Sequence, residues 1–356
     1  MVCAWGFTAY FRAVLCVGVL ALAACAPRPV AQWAAPNPDA RTQTIFVATQ
    51  RRLENTGPGF GRKRSSKINY FRADISVPPT HRPGQIEWPK GAPNAATDFV
   101  ITGSEVYAGP AGLIRDVHKA TPERETMVFV HGYNNTLSEA MYRLAQIQAD
   151  FDIGGPAVLF SWPSAGDPRG YIYDRDSVLF SRDALEKTLR DLTKAPGEKV
   201  FLLAHSVGAQ LTMEVLRQAA IRGDGRLLGR ISGVVLMSPD IDPDVFRTQA
   251  LAIGRLPQPF VIFISRQDKA LTLMGLLSGR KPRLGVLVGE EDLRGLNVTV
   301  VDFTSLADGE GYNHAVPMTS PAAIAALNEM IKRGERKRAR HRKSVILQPG
   351  LLDALN

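Results

Sequence analysis

A mostly parallel β-sheet packed between helices, preceded by a β-rich N-terminal extension, is the fold class this sequence predicts. Three observations carry the prediction. From Met127 onward, short apolar runs alternate with segments of helical spacing. Each run is apolar at successive residues rather than at every second one, so both faces of the strand must be covered, as in a parallel sheet between helical layers. One of these runs, "VFLLAHSVGAQ", passes into a helical segment through a turn of small residues around Ser206. Such alternation argues a three-layer α/β domain.

The chain begins with a segment that reads as a targeting signal rather than as fold. In "MVCAWGFTAYFRAVLCVGVLALAAC" a single basic residue, Arg12, precedes an apolar run from Ala13 to Ala24. That run is too short for a stable membrane span and suits a secretory signal. Its end, Leu22-Ala23-Ala24-Cys25, resembles the bacterial lipobox, in which the cysteine becomes the lipidated first residue. The resemblance implies a signal peptide over 1–24 and lipidation at Cys25. Ala26, in place of Asp, resembles lipoproteins sent on to the outer membrane. The alternative is a plain signal peptide cut near Ala24. All 3 cysteines lie within the first 25 residues, so the rest of the chain holds no disulfide.

Residues 25–43 are rich in Pro and Ala and read as an extended tether. "TIFVATQR" (Thr44–Arg51) is the first expected strand, and "NYFRADISVP" the second, ended by Pro78 and Pro79. Residues 80–124 carry no assignable period, and 44–124 form the N-terminal extension. The core, 125–333, contains the strands "MVFVHG", "PAVLFSWPS", "KVFLLAHS", "RISGVVLMSPD", "FVIFISRQD" and "NVTVVDFTS". Between them lie the helices "TLSEAMYRLAQIQADF", "DSVLFSRDALEKTLRDLTK" and "AQLTMEVLRQAAIR". A basic tail, 334–356, follows, and "KRGERKRARHRK" sets eight basic residues against one acid. It reads as a solvated extension or as a contact with anionic lipid or envelope polymer. The whole chain has 45% apolar and 22% charged residues and a formal charge of +9. These are ordinary values for a globular protein.

The candidate chemistry starts at Ser206, where a buried strand meets a helix. A serine there is either a nucleophile held on a tight turn, with small residues two before and two after it (Ala204, Gly208), or a helix cap. A second motif, "VFVHGYNNT", ends another buried strand in His131-Gly132. Of 6 histidines, His81 and His118 fall in the irregular early region, His341 in the tail, and His131 and His205 within the two motifs as structural hydrogen bonders. His314 remains, in the Gly-rich loop "DGEGYNHAVP" after the last strand. Two carboxylates end strands: Asp268 and, one strand earlier, Asp240. Asp240 or Asp242 could instead cap the helix beginning near Asp242. Trp162 of "SWP" is expected as apolar surface on a pocket wall.

Taken together, these stretches resemble a family of bacterial α/β-hydrolases of unknown physiological substrate, grouped with esterases and lipases. "VATQR", "DISVPPTHRPGQIEWP", "HGYNN", "SWPSAG", "AHSVG", "SPDID" and "SRQDKAL" carry the resemblance over roughly 44–333. It implies Ser206 as nucleophile, His314 as base and Asp268 as acid, with Asp240 the alternative acid. It also implies Tyr133 and Val207 as backbone N–H donors to an oxyanion. The expected activity is hydrolysis of small-molecule or lipid esters through an acyl-enzyme, without metal or cofactor. The open alternatives are amide or peptide hydrolysis by the same residues, and a non-catalytic envelope binding protein on the same fold. The expected location is the bacterial envelope, lipid-anchored and facing the periplasm, with no nucleic-acid partner.

Overall fold

The computed structural model describes residues 28–54, 59–120, 124–153, 155–279, 281–286, 293–307 and 312–340. The expected signal peptide, Cys25 and the end of the basic tail lie outside them. The compact unit that begins at Ala31 holds the sheet and its covering helices.

Its elements run in the order β1 (Arg41–Leu53), β2 (Phe60–Val77), β3 (Val100–Tyr107), α1 (Pro110–Lys119), β4 (Glu125–Val130), α2 (Leu137–Asp150), β5 (Ala157–Ser161), α3 (Tyr171–Phe180) and α4 (Arg182–Leu192). Then come β6 (Lys199–His205), α5 (Val207–Ile221), α6 (Gly225–Leu228), β7 (Ile231–Met237), α7 (Pro243–Ile253), β8 (Phe260–Ile264), α8 (Lys269–Leu277), β9 (Thr299–Asp302), α9 (Val316–Thr319) and α10 (Pro321–Arg340). The strands form one sheet in the order β3-β2-β1-β5-β4-β6-β7-β8-β9. β2 is antiparallel to both β1 and β3, and every pair from β1–β5 through β8–β9 is parallel.

The apolar runs are continuous because the sheet has a core on each face. Along β4, Val128 and Val130 enter one core, with Leu113 of α1, Leu185 of α4, Leu211 of α5 and Phe246 of α7. Met127 and Phe129 enter the other, with Leu144 of α2 and Leu327 of α10. Successive residues thus point to opposite, equally dry layers.

The expectations differ from the structure in several places. β1 and β2 are longer than their apolar stretches, since the hairpin continues as a polar ribbon through "FGRKRSS". The unassigned 80–124 region contains β3 and α1. The long helix expected around 176–194 is two helices meeting at Ser181. Part of the tether is not free: Trp33 bridges Ile101, and Ile101 N–H donates to Gln32 O at 2.8 Å. α10 continues into the basic block as far as Arg340.

The strand order fixes where a site can form. β5 lies on one side of β4 and β6 on the other. The helix after β4, α2, packs on one face, and the helix after β6, α5, packs on the opposite face. Chains leaving adjacent parallel strands in opposite directions open a crevice at their C-terminal ends. Val130 pairs with Ala204 across that boundary, which sets His131 beside His205 and Ser206 at the crevice floor.

Candidate active site

Ser206 occupies the turn between β6 and α5 with φ 55° and ψ −123°. A non-glycine residue there carries strain of about 1–3 kcal/mol, which the surroundings must hold. They do: Ser206 N–H donates to Met237 O at 3.0 Å, and Ser206 O accepts from Ala209 N–H at 3.0 Å and Asp240 N–H at 3.2 Å. Its side chain makes no capping bond to the helix, which removes the helix-cap reading. The small neighbours are required. A Cβ on Gly208 would stand 2.4 Å from His131 O and 2.5 Å from Val130 O, both backbone atoms that cannot yield. A Cβ on Gly132 would stand 2.9 Å from Ser206 Cβ. The loop after β4 therefore lies directly against Ser206.

Asp268 is four residues beyond β8, at the N-cap of α8, and not at the strand end itself. Its Oδ1 accepts Leu271 N–H at 2.9 Å, and its Oδ2 lies 2.7 Å from His314 Nδ1. Asp268 is wholly buried and His314 partly exposed. The His314 turn is held from two sides. Lys269 N–H donates to Tyr312 O at 2.9 Å, and His205 Nε2–H donates to His314 O at 3.2 Å, with the two imidazole rings 4.7 Å apart. Burial, reinforced by the neighbouring His314, pushes the His205 pKa well below its ordinary value. His205 is thus a neutral donor that fastens the His314 backbone next to Ser206.

The structure pairs Asp268 with His314 and links His314 to His205, the residue before Ser206 and Val207 on the elbow. Tyr133 sits on the loop that Gly132 presses against the elbow, and its ring meets Tyr171 edge-on at 5.4 Å. Asp240 is placed differently. It does not contact His314 and it does not cap α7, whose cap is Asp242, accepting from Asp244 N–H and Val245 N–H. Instead Asp240 Oδ2 accepts from Tyr171 OH at 3.0 Å, and its Oδ1 lies 2.8 Å from Arg283 Nε in a buried ion pair. The Nε–H is not aimed along that line, so the contact is ionic rather than a well-formed hydrogen bond. Trp162 is also not a pocket wall. It is fully buried, stacks on His131 at 4.9 Å and donates from Nε1–H to His131 O at 2.8 Å.

Two further buried charges, unassigned in the sequence, bind the loops after β4 and β5. Arg51, at the end of "VATQR", donates to Ser161 Oγ, Ser164 O, Gly61 O and Asn135 O. Asp174, in α3, accepts from Asn134 N–H, Ser164 OH and Ala165 N–H. The available signal was that "VATQR" is a distinct motif that the Ser-His-Asp reading leaves without a role, as it leaves Asn134, Asn135 and Ser164 of "HGYNN" and "SWPSAG". Among the described residues no group of three or more His, Cys, Asp or Glu side chains could hold a metal ion, and no helix is long and apolar enough to cross a membrane.

Comparison with known proteins gives one family. Residues 111–333 match the model of the alpha/beta hydrolases of unknown function (DUF900). No curated protein matches the chain. Among solved structures, similarity extends to esterase B of Lactobacillus rhamnosis, with a tributyrin phosphonate inhibitor, at 13% identity over 96% of this chain and 99% of that one, TM-score 0.37. It also extends to an esterase of Rhizomucor miehei, at 14% identity over 91% and 89% of the chains, TM-score 0.36. A monoacylglycerol lipase of Paleococcus ferrophilus is similar at 18% identity over 52% and 86%, TM-score 0.34.

Proposed function

The chain belongs to the family of alpha/beta hydrolases of unknown function, and we propose that it is a serine hydrolase acting on carboxylic esters from a lipid-anchored position in the bacterial envelope. The observation that carries the chemistry is the Asp268–His314 pair, 2.7 Å between Oδ2 and Nδ1, with His314 held by His205, the residue before a serine strained onto a strand-to-helix elbow. In this reading Ser206 Oγ attacks the ester carbonyl and His314 Nε2 takes its proton. Asp268 keeps the imidazole hydrogen on Nδ1 and stabilises the imidazolium that forms. The backbone N–H groups of Tyr133 and Val207 receive the oxyanion. Loss of one such donor costs about 10²–10³-fold in kcat in comparable sites. The acyl group moves to Ser206, His314 returns the proton to the departing alcohol, and water then releases the acid.

The connection between β7 and β8 is taken up by α7, which leaves little length for a large lid there. A fairly open crevice suits soluble short-chain esters. The envelope placement rests on the Leu22–Cys25 motif. The test is reaction with a fluorophosphonate probe: the purified protein labels, Ser206→Ala does not, and His314→Ala labels at least about 10²-fold more slowly. Labelling that survives Ser206→Ala, or none in the unaltered protein, rejects the proposal.

A further inference from the structure

We propose that Arg51, acting through Ser161 and His131, orients the Gly132–Tyr133 peptide whose N–H meets the oxyanion; the inference rests on the serine-hydrolase reading above. The decisive group is the carbonyl of that peptide. Gly132 O is approached by His131 Nδ1 at 2.9 Å and by Asn135 Nδ2 at 3.3 Å. A trans peptide is planar, with C=O and N–H pointing in opposite directions. Fixing Gly132 O therefore fixes the direction of Tyr133 N–H.

Whether His131 can hold Gly132 O depends on which ring nitrogen carries the hydrogen. Burial, together with the Arg51 cation, depresses the His131 pKa to about 3, so the ring is neutral and has a single N–H. Two carbonyls compete for it: Gly132 O at 2.9 Å from Nδ1 and Trp162 O at 3.2 Å from Nε2. Only the first arrangement braces the oxyanion peptide. Ser161 decides between them. Its Oγ accepts Arg51 Nε–H at 2.9 Å and lies 3.3 Å from His131 Nε2. Ser161 is fully buried, and of the two groups that meet its Oγ, Arg51 can only donate, so His131 Nε2 is the one that can take the hydroxyl hydrogen; a hydroxyl donating to Nε2 leaves no buried hydrogen unpaired. The imidazole hydrogen is left on Nδ1, facing Gly132 O.

The same cation steadies the rest of the loop. Arg51 Nη2–H donates to Asn135 O at 2.7 Å, and Nη1–H to Ser164 O at 3.0 Å. Asp174 completes the bracket from the opposite side, accepting Asn134 N–H at 3.0 Å and Ala165 N–H at 2.6 Å. The loops after β4 and β5 are thus tied to each other by one buried cation and one buried anion, both acting on backbone. Burial lowers the Arg51 pKa to about 10, which leaves the guanidinium charged at neutral pH.

The test uses Ser161→Ala, which removes one buried oxygen, and Arg51→Lys, which keeps the charge but not the planar fork. Titration of the unaltered protein with a fluorophosphonate comes first, and failure there rejects the parent reading rather than this one. With p-nitrophenyl butyrate, both variants are expected to lose about 10–10²-fold in kcat, less than deletion of an oxyanion donor, with KM within about threefold. Affinity for an alkyl trifluoromethyl ketone, which forms an oxyanion on the enzyme, falls in parallel, while affinity for butyrate does not. In spectra of ¹⁵N-histidine-labelled protein, the His131 hydrogen moves from Nδ1 to Nε2 in Ser161→Ala. If Arg51→Lys does not fold, Ser161→Ala alone decides. A kcat within twofold of the unaltered protein, or an unmoved His131 tautomer in Ser161→Ala, overturns the proposal.

Discussion

Replacing Asp268 by Asn sets the two duties of that carboxylate against each other. Oδ2 faces His314 Nδ1 at 2.7 Å, while Oδ1 accepts Leu271 N–H at 2.9 Å as the N-cap of α8. An amide keeps the shape but offers one acceptor and one donor. If its oxygen stays on Leu271 N–H, the NH₂ points at Nδ1, and the imidazole hydrogen must move to Nε2. If the amide turns over, the imidazole keeps its tautomer but two N–H groups confront each other at the helix start. Loss of an N-cap costs about 0.5–2 kcal/mol, and Asp268 is 0% exposed, so water cannot take over the bond. A neutral imidazole carries its hydrogen on either nitrogen at small cost. The first arrangement therefore prevails, and the base faces the serine with its hydrogen on the wrong nitrogen. The expected result is a kcat lowered about 10²–10⁴-fold, a barrier raised by about 3–5 kcal/mol. The stability change should stay below about 1 kcal/mol, or a few degrees in Tm. Initial rates on p-nitrophenyl butyrate and thermal melts by circular dichroism measure the two quantities. A kcat within tenfold of the unaltered protein, accompanied by a large drop in Tm, would refute the reasoning and make Asp268 chiefly a cap.

Asp240→Asn leaves Arg283 buried without its counter-charge. The expected cost is about 3–5 kcal/mol by urea denaturation, with kcat of the folded fraction within fivefold; loss of turnover in folded protein would give Asp240 the acid's role. His81 lies 2.9 Å from both Glu87 and Asp150. Burial alone would depress its pKa, but the hydrogen bonds and charges of Asp150 and Glu87 outweigh it and raise the pKa to about 9. A raised folded-state pKa means stability that is complete below about 6.5 and lost as pH climbs through 9. Thermal melts from pH 6 to pH 10 should show that decline, and His81→Gln should flatten it; an identical profile in the variant would show that the decline has another source. Cys25→Ser should abolish incorporation of labelled fatty acid in cells, and an unchanged label would show that the lipobox reading is wrong.

The parallel part of the fold was legible because its strands are dry on both faces, and continuous apolar runs have few other uses. The second half of the second strand was legible as "NYFRADISVP", but its first half was not, since it is a ribbon in which Arg62, Lys63 and Lys67 face solvent. There the hydrogen-bond ladder, not the side-chain pattern, sets the length. The choice between Asp268 and Asp240 was legible only as a position in strand order. Both carboxylates are buried, and what separates them is the partner that reaches each: His314 for one, Arg283 for the other. Arg283 follows α8 in the chain and carries no pattern that announces its burial. Arg51 makes the same point more sharply. A charged residue at a strand end normally marks the way out to solvent. Here its acceptors come from Gly61, Asn135, Ser161 and Ser164, which lie 10, 84, 110 and 113 residues further along the chain. A buried guanidinium is tolerable only when all of those carbonyls and hydroxyls converge on it. That condition belongs to two strands and two loops at once, so no window of the sequence contains it. It is also why the residue that braces the site stands so far from the serine it is proposed to serve.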